Sequence, residues 1–176
     1  PPTAAADRWR GLAVYGLDGT TLRVADTPEN VAHFGRPPSR HGEGAGYPQL
    51  RLVTLLALRA HLLAAAAFGP YRTVSALATE VWAALPEHAV VILDRAFCSY
   101  ALFHTLAPPN RDRHWIVRAR TGPTALTQAV VERFGPGDAL VELRPSPATC
   151  AKHPALPPTL RVRAVRVQRR GFRPYW

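Results

Sequence analysis

The chain has no methionine, a single lysine (Lys152) and two cysteines, Cys98 and Cys150. Two thiols so far apart, with no signal peptide, argue against a disulfide scaffold and fit a reducing cytosol. No apolar run approaches the roughly 18 to 20 residues that a membrane helix needs, which excludes a helical membrane protein. No signal peptide is read, and the expected compartment is the cytoplasm, in association with the nucleoid. No G-x-x-x-x-G-K-[ST] sequence is present, so a phosphate loop for ATP is absent; Ser99 lacks the glycine elbow of a hydrolase nucleophile. The missing methionine and the opening at Pro1 lead us to expect a fragment or a processed piece.

Acidic residues are also scarce. Twelve stand against 22 basic ones over 176 residues, a net charge of +10, and that excess calls for a polyanionic partner. All the basic residues but Lys152 are arginine. Guanidinium binds phosphate bidentately, which is one reading of the preference. Coding bias in a GC-rich genome, suggested by the abundant alanine and proline, is the other. The length is that of about one domain.

Residues 11 to 26, GLAVYGLDGTTLRVAD, read as two short strands split by an Asp18-Gly19 turn, the preferred dipeptide of hairpins. Residues 27 to 48 hold four prolines and four glycines and read as a long basic loop. The apolar stretch from Gln49 to Gly69 is compatible with a buried strand pair or a helix, and its alternation favours a strand beginning at Leu50. Val74, Leu77, Val81 and Leu85 fall at helical spacing, with Thr73 as N-cap and Pro86 as stop. AVVILDRAF, 89 to 97, reads as a buried strand that delivers Asp94 at its end. A short helix over 99 to 106 and a strand over 114 to 120 follow. Beyond them we expect a helix at 124 to 134, a strand at 139 to 143, a proline-rich stretch, and a strand at 159 to 167.

Asp18 and Asp94 are the candidates for chemistry. A carboxylate that ends an apolar run is forced to the rim of a sheet, where a second one can join it in binding a hard divalent cation. The plainer alternative makes Asp18 a turn residue and leaves Asp94 paired with Arg95 or a helix end. Cys98, His104, Cys150 and His153 lack the Cys-x-x-Cys spacing of a zinc site.

The segments GLDGTTLRVADTPENVAHFGRP, YPQLRLVTLL, FGPYRT and VVILDRAFCSYALF together resemble the DDE-type transposases of bacterial insertion sequences, from about Trp9 to about Pro147. The resemblance implies an α/β, ribonuclease H-like mixed sheet with flanking helices and a β-rich insertion, incomplete at the C-terminus. It implies that Asp18 in LDGTTLR and Asp94 in LDRAF are catalytic carboxylates and ligands of Mg²⁺ or Mn²⁺. The chain departs from the family at Ala96, where a glycine is usual, and in a third carboxylate, a Glu from a late helix that the chain ends without. Glu132 is the best internal substitute and reads as a solvated helix charge; Asp138 and Glu142 are weaker. The terminal QRRGFRPYW does not match the expected continuation, as in a frameshifted or decayed gene.

Arg36, Arg40, Arg51, Arg72, Arg118 and Arg120 are the expected DNA-facing residues, since phosphate contacts supply most sequence-independent affinity. Six more arginines from Arg161 to Arg173 make a basic C-terminal segment that we expect to be loosely held. The expected organisation is a tail over 1 to 10, a partial catalytic core over 11 to 120, and a β-rich insertion with a basic tail over 121 to 176. Two functions follow from the resemblance. One is a transposase fragment that cleaves and joins duplex DNA, an arrangement that admits a homodimer. The other is a truncated, catalytically inactive remnant that only binds DNA.

Overall fold

In this computed structural model the described residues are 8–37, 46–70, 74–106, 112–121 and 126–176, the side chains of Ser75 and Thr127 excepted. They fall into two compact units, one drawn from residues 1–92 and 111–115, the other from 93–110 and 116–176. The class is mixed α/β.

The larger sheet starts from a small hairpin. β1 (Arg8–Trp9) pairs antiparallel with β2 (Leu12–Arg23), and the two residues between them, Arg10 at φ 51° and Gly11 at φ 86°, supply the left-handed turn that such a short loop requires. β2 then runs unbroken for 12 residues. Asp18 and Gly19 lie inside it, opposite Thr54 and Val53 of β3 (Gln49–Ala57), so the expected turn at Asp18-Gly19 does not form. Pairing in one register from Tyr15 to Arg23 outweighs the local turn preference of a single dipeptide.

β3 turns back into β4 (Leu62–Pro70), which resolves the apolar stretch as a strand pair. The chain next forms α2 (Val74–Trp82), and β5 (Ala89–Leu93) follows it on the far side of β2. With β6 (Arg113–Val117) the sheet order is β4-β3-β2-β5-β6. α2 packs on β3 and β4. Leu77, Val81 and Leu85, four residues apart, are buried, as are Val53, Leu55 and Leu17 on the sheet. Thr73, the expected cap of α2, lies outside the described residues.

The stretch expected to be a loop contains α1 (Pro28–Phe34). Thr27 caps it, its hydroxyl accepting from the Asn30 N–H at 3.3 Å, and Pro28 sits where its missing donor costs nothing. Gly35 ends it at φ 73°. The proline there starts a helix and does not break one.

In the second unit, α3 (Tyr100–Leu106) buries Tyr100, Leu102, Phe103 and Leu106, and the Tyr100 hydroxyl donates to the Pro157 carbonyl at 2.8 Å. Burial pushes the Tyr100 phenol above its usual pKa. The helix expected over 124 to 134 is instead β7 (Thr127–Gly135), which pairs with β8 (Asp138–Arg144), and β8 pairs with β9 (Leu160–Val165). Val130, Val131 and Phe134 suit a strand, and the Gly-Pro-Gly turn supplies the partner that a lone segment lacks. Along β8, Ala139, Val141 and Leu143 are buried while Asp138, Leu140 and Glu142 are half-buried, the alternation of a sheet with one covered face.

Arg163 of β9 donates from Nε (2.8 Å) and Nη2 (2.5 Å) to the two oxygens of Asp138. These bonds hold the Asp138 carboxyl below its ordinary pKa. The proline-rich stretch hides a second short helix, α4 (Pro147–Lys152), again opened by a capping hydroxyl, Ser146, followed by proline. The basic tail is tied back: Val167 and Tyr175 form an antiparallel bridge, and the Ala119 N–H donates to the Trp176 carbonyl at 2.8 Å.

Gly137 closes the β7–β8 turn at φ 79°, and a Cβ there would stand 2.8 Å from Arg166 Cβ. Left-handed backbone costs an L-residue roughly 1 to 2 kcal/mol before the clash is counted. Gly137→Ala is therefore expected to destabilise the protein by at least about 2 kcal/mol, read as a lower urea midpoint. An unchanged midpoint would show that the turn relaxes at no cost.

Candidate active site

Asp18 lies in β2 directly after the buried Leu17, on a residue that the strand exposes. Alternation along the strand sets this: Leu17 turns into the core, so its neighbour turns out. One carboxylate oxygen, Oδ1, accepts the Gly19 N–H at 2.7 Å. Asp94 directly follows β5, whose Ala89, Val90, Val91 and Leu93 are buried, and it too is exposed. It caps a short 3-10 turn, Arg95–Phe97, with Oδ1 accepting the Ala96 N–H at 2.8 Å. The plainer reading of Asp94 as a cap on a helix end is thus part of its geometry, whereas that of Asp18 as a turn residue is not.

Neither carboxylate forms an ion pair among the described residues, and each keeps its second oxygen unbonded. β2, which carries Asp18, and β5, which ends directly before Asp94, are neighbours in the sheet order. Among the described residues no group of three or more His, Cys, Asp or Glu side chains is placed to hold a metal ion. Glu132 lies on β7 opposite Leu140 and is exposed. Cys98 is buried and Cys150 exposed.

The expected DNA-facing arginines differ in what they do. Arg36 bonds Asp26 through Nη2 at 2.5 Å and donates through Nη1 to the Gly46 carbonyl. Arg51 is half-buried on β3, opposite Thr21 and Gly69. Arg118 lies over the Tyr175 ring at 4.8 Å from its centroid. Arg120 donates to the carbonyls of Arg95 and Ala96 at 2.9 and 2.5 Å. Arg40 and Arg72 lie outside the described residues.

One exposed cluster carried no signal in the sequence. Nδ1 of His88 and Nε2 of His114 each donate, at 2.6 Å, to one oxygen of Asp112. The bond from His88, then that from His114, hold the Asp112 carboxyl below its ordinary pKa. His88 and Asp112 are 24 residues apart, and only the strand pairing of this sheet brings them together, as the Ala89 N–H to Asp112 carbonyl bond shows.

A family profile described as Transposase DDE domain matches residues 9–168, nearly the whole chain. The chain belongs to the DDE transposase family. Two curated relatives, both of Escherichia coli (strain K12), are similar to it. Transposase InsG for insertion sequence element IS4 is 33% identical over 164 residues, covering 93% of this chain and 36% of the relative. Putative transposase InsZ is 33% identical over 114 residues, covering 64% of this chain and 38% of the relative. The chain thus spans little more than a third of the length of these relatives. Among solved structures, the cryo-EM structure of piggyBac transposase synaptic complex with hairpin DNA aligns with 86% of this chain and 33% of its own at 11% identity and a TM-score of 0.46, a likeness on which nothing below rests. Among the described residues no helix is long and apolar enough to cross a membrane.

Proposed function

We propose that this chain is the catalytic-domain portion of a transposase, acting in metal-dependent cleavage and strand transfer of duplex DNA, with Asp18 and Asp94 as ligands of Mg²⁺ or Mn²⁺. The observation that carries the reading is the pair of exposed carboxylates, each without an ion pair among the described residues, one on β2 and one directly after β5, adjacent strands of one sheet in a DDE domain. The donor chemistry fits the metal, because carboxylate oxygens are the ligands that hard divalent ions take. When bound, such ions activate the attacking oxygen and stabilise the leaving one in a phosphodiester displacement.

The chain's own residues have simpler tasks. The Gly19 N–H restrains the Asp18 carboxylate and the Ala96 N–H restrains that of Asp94, each through one oxygen, so that the other stays available. The strand order supports a ribonuclease H-like core: an antiparallel meander, β2-β3-β4, with β5 added beside its first strand after a helical crossover. The excess of arginine supports duplex DNA as partner, and with it a cytoplasmic, nucleoid-associated protein.

The second reading is an inactive remnant that only binds DNA, and the observation that supports it is the excess of arginine, which serves duplex binding without any metal. Incubation with supercoiled plasmid and Mn²⁺, alongside a duplex-binding assay, separates the two. Mn²⁺-dependent nicking supports the transposase reading; retention of the duplex without nicking selects the remnant.

A further inference from the structure

We infer that Arg120 is a positioning residue for Asp94, acting through the backbone of the turn that Asp94 caps. This rests on the reading of Asp94 as a metal ligand. Nε and Nη2 of Arg120 donate to two consecutive carbonyls, those of Arg95 and Ala96, at 2.9 and 2.5 Å. The same turn is fixed from its other side by Asp94 itself, whose carboxylate accepts the Ala96 N–H, and it is anchored by the buried Phe97.

A three-residue 3-10 turn makes few bonds of its own. Here Phe97 N–H to Asp94 and Cys98 N–H to Arg95, both at 3.2 Å, are the backbone bonds it has. Its Ala96 carbonyl is one of the orphan acceptors that a helix end leaves, and the planar guanidinium fork is shaped to reach two such acceptors at once. Ala96 lies between the two tethers: its N–H is held by Asp94 and its carbonyl by Arg120. Freeing the carbonyls loosens the peptide that orients the Asp94 carboxylate. A metal ligand must be held within about 0.5 Å of its productive position, and loss of a partner that orients a ligand typically costs 10- to 100-fold in affinity. A different role, phosphate contact, was the expectation from charge alone.

The sign of the effect separates positioning from charge. Removing a cation beside a metal site relieves repulsion, so a purely electrostatic Arg120 predicts tighter Mn²⁺ binding on its removal. Positioning predicts the opposite. Mn²⁺ affinity by electron paramagnetic resonance, and hydrogen exchange at the Ala96 amide, are measured on the whole chain and on Arg120→Ala, Arg120→Lys and Asp94→Asn, with circular dichroism as the check on folding.

The expected result is a 10- to 100-fold weaker Mn²⁺ affinity and faster Ala96 exchange in Arg120→Ala. Arg120→Lys, which keeps the charge but not the fork, is expected to show the same loss and remains a test if the alanine variant fails to fold. Equal or tighter binding in the folded Arg120 variants, with binding still lost in Asp94→Asn, overturns the inference and leaves the reading of Asp94 standing. Binding that survives Asp94→Asn overturns both.

Discussion

Asp18→Asn and Asp94→Asn are each expected to lower Mn²⁺-dependent nicking of plasmid DNA by on the order of 10³-fold, since holding the metal is worth at least as much as one oxyanion-hole donor, whose loss costs about 10² to 10³-fold. Asparagine suits the test for a structural reason. It keeps a side-chain oxygen to accept the Gly19 N–H at position 18 and the Ala96 N–H at position 94, while it removes the charge and replaces the available oxygen with an NH2 group. Both positions are exposed, where a substitution of this kind ordinarily moves stability by no more than about 0.5 kcal/mol. The circular dichroism spectrum and urea midpoint should therefore stay with the parent while nicking falls. Full nicking by either variant would remove that aspartate from the site.

The largest effect on stability is expected at Phe103. It is 2% exposed on α3, beside Tyr100, Leu102 and Leu106, and an aromatic truncated to alanine in such a place costs about 3 to 5 kcal/mol in lost transfer energy and residual cavity. Set against a total stability of about 5 to 15 kcal/mol, Phe103→Ala should leave a measurable unfolded fraction in mild urea. Phe103→Leu retains most of the volume and should recover most of the loss. Equal urea midpoints for Phe103→Ala and the parent would mean that α3 is not packed as described.

These two expectations differ in how legible their residues were in the sequence. The place of Asp94 at a strand end was legible because AVVIL, buried at all but Ile92, is an apolar run and the first polar residue after it is that aspartate. The helix that carries Leu77 and Val81 was legible because its period and its burial coincide, although it ends at Trp82 and leaves Leu85 buried beyond it. Asp18 was singled out with the wrong local geometry. Asp-Gly is the preferred hairpin pair, and nothing local reveals that nine residues of β3 will pair across it.

The two short helices were missed through proline. Thr27-Pro28 and Ser146-Pro147 are start signals, a capping hydroxyl followed by a residue whose φ suits the first turn, and among many other prolines they read as breaks. β7 was taken for a helix because its β-branched and aromatic residues become decisive only with the partner strand that the Gly-Pro-Gly turn brings back. The Arg120 contact with the Asp94 turn and the His88–Asp112–His114 cluster lay beyond the sequence altogether, since each joins residues 24 or 25 positions apart through tertiary folding.

The central proposal is that Asp18 and Asp94 are each ligands of Mg²⁺ or Mn²⁺. A Mn²⁺ titration followed by electron paramagnetic resonance, on the parent chain and on the two asparagine variants, tests it most directly, with circular dichroism confirming that all three are folded. The account predicts Mn²⁺ binding by the parent and its loss in either variant. Folded parent protein that binds no Mn²⁺, or variants that bind it as well as the parent, would contradict the claim and leave a DNA-binding remnant as the better description.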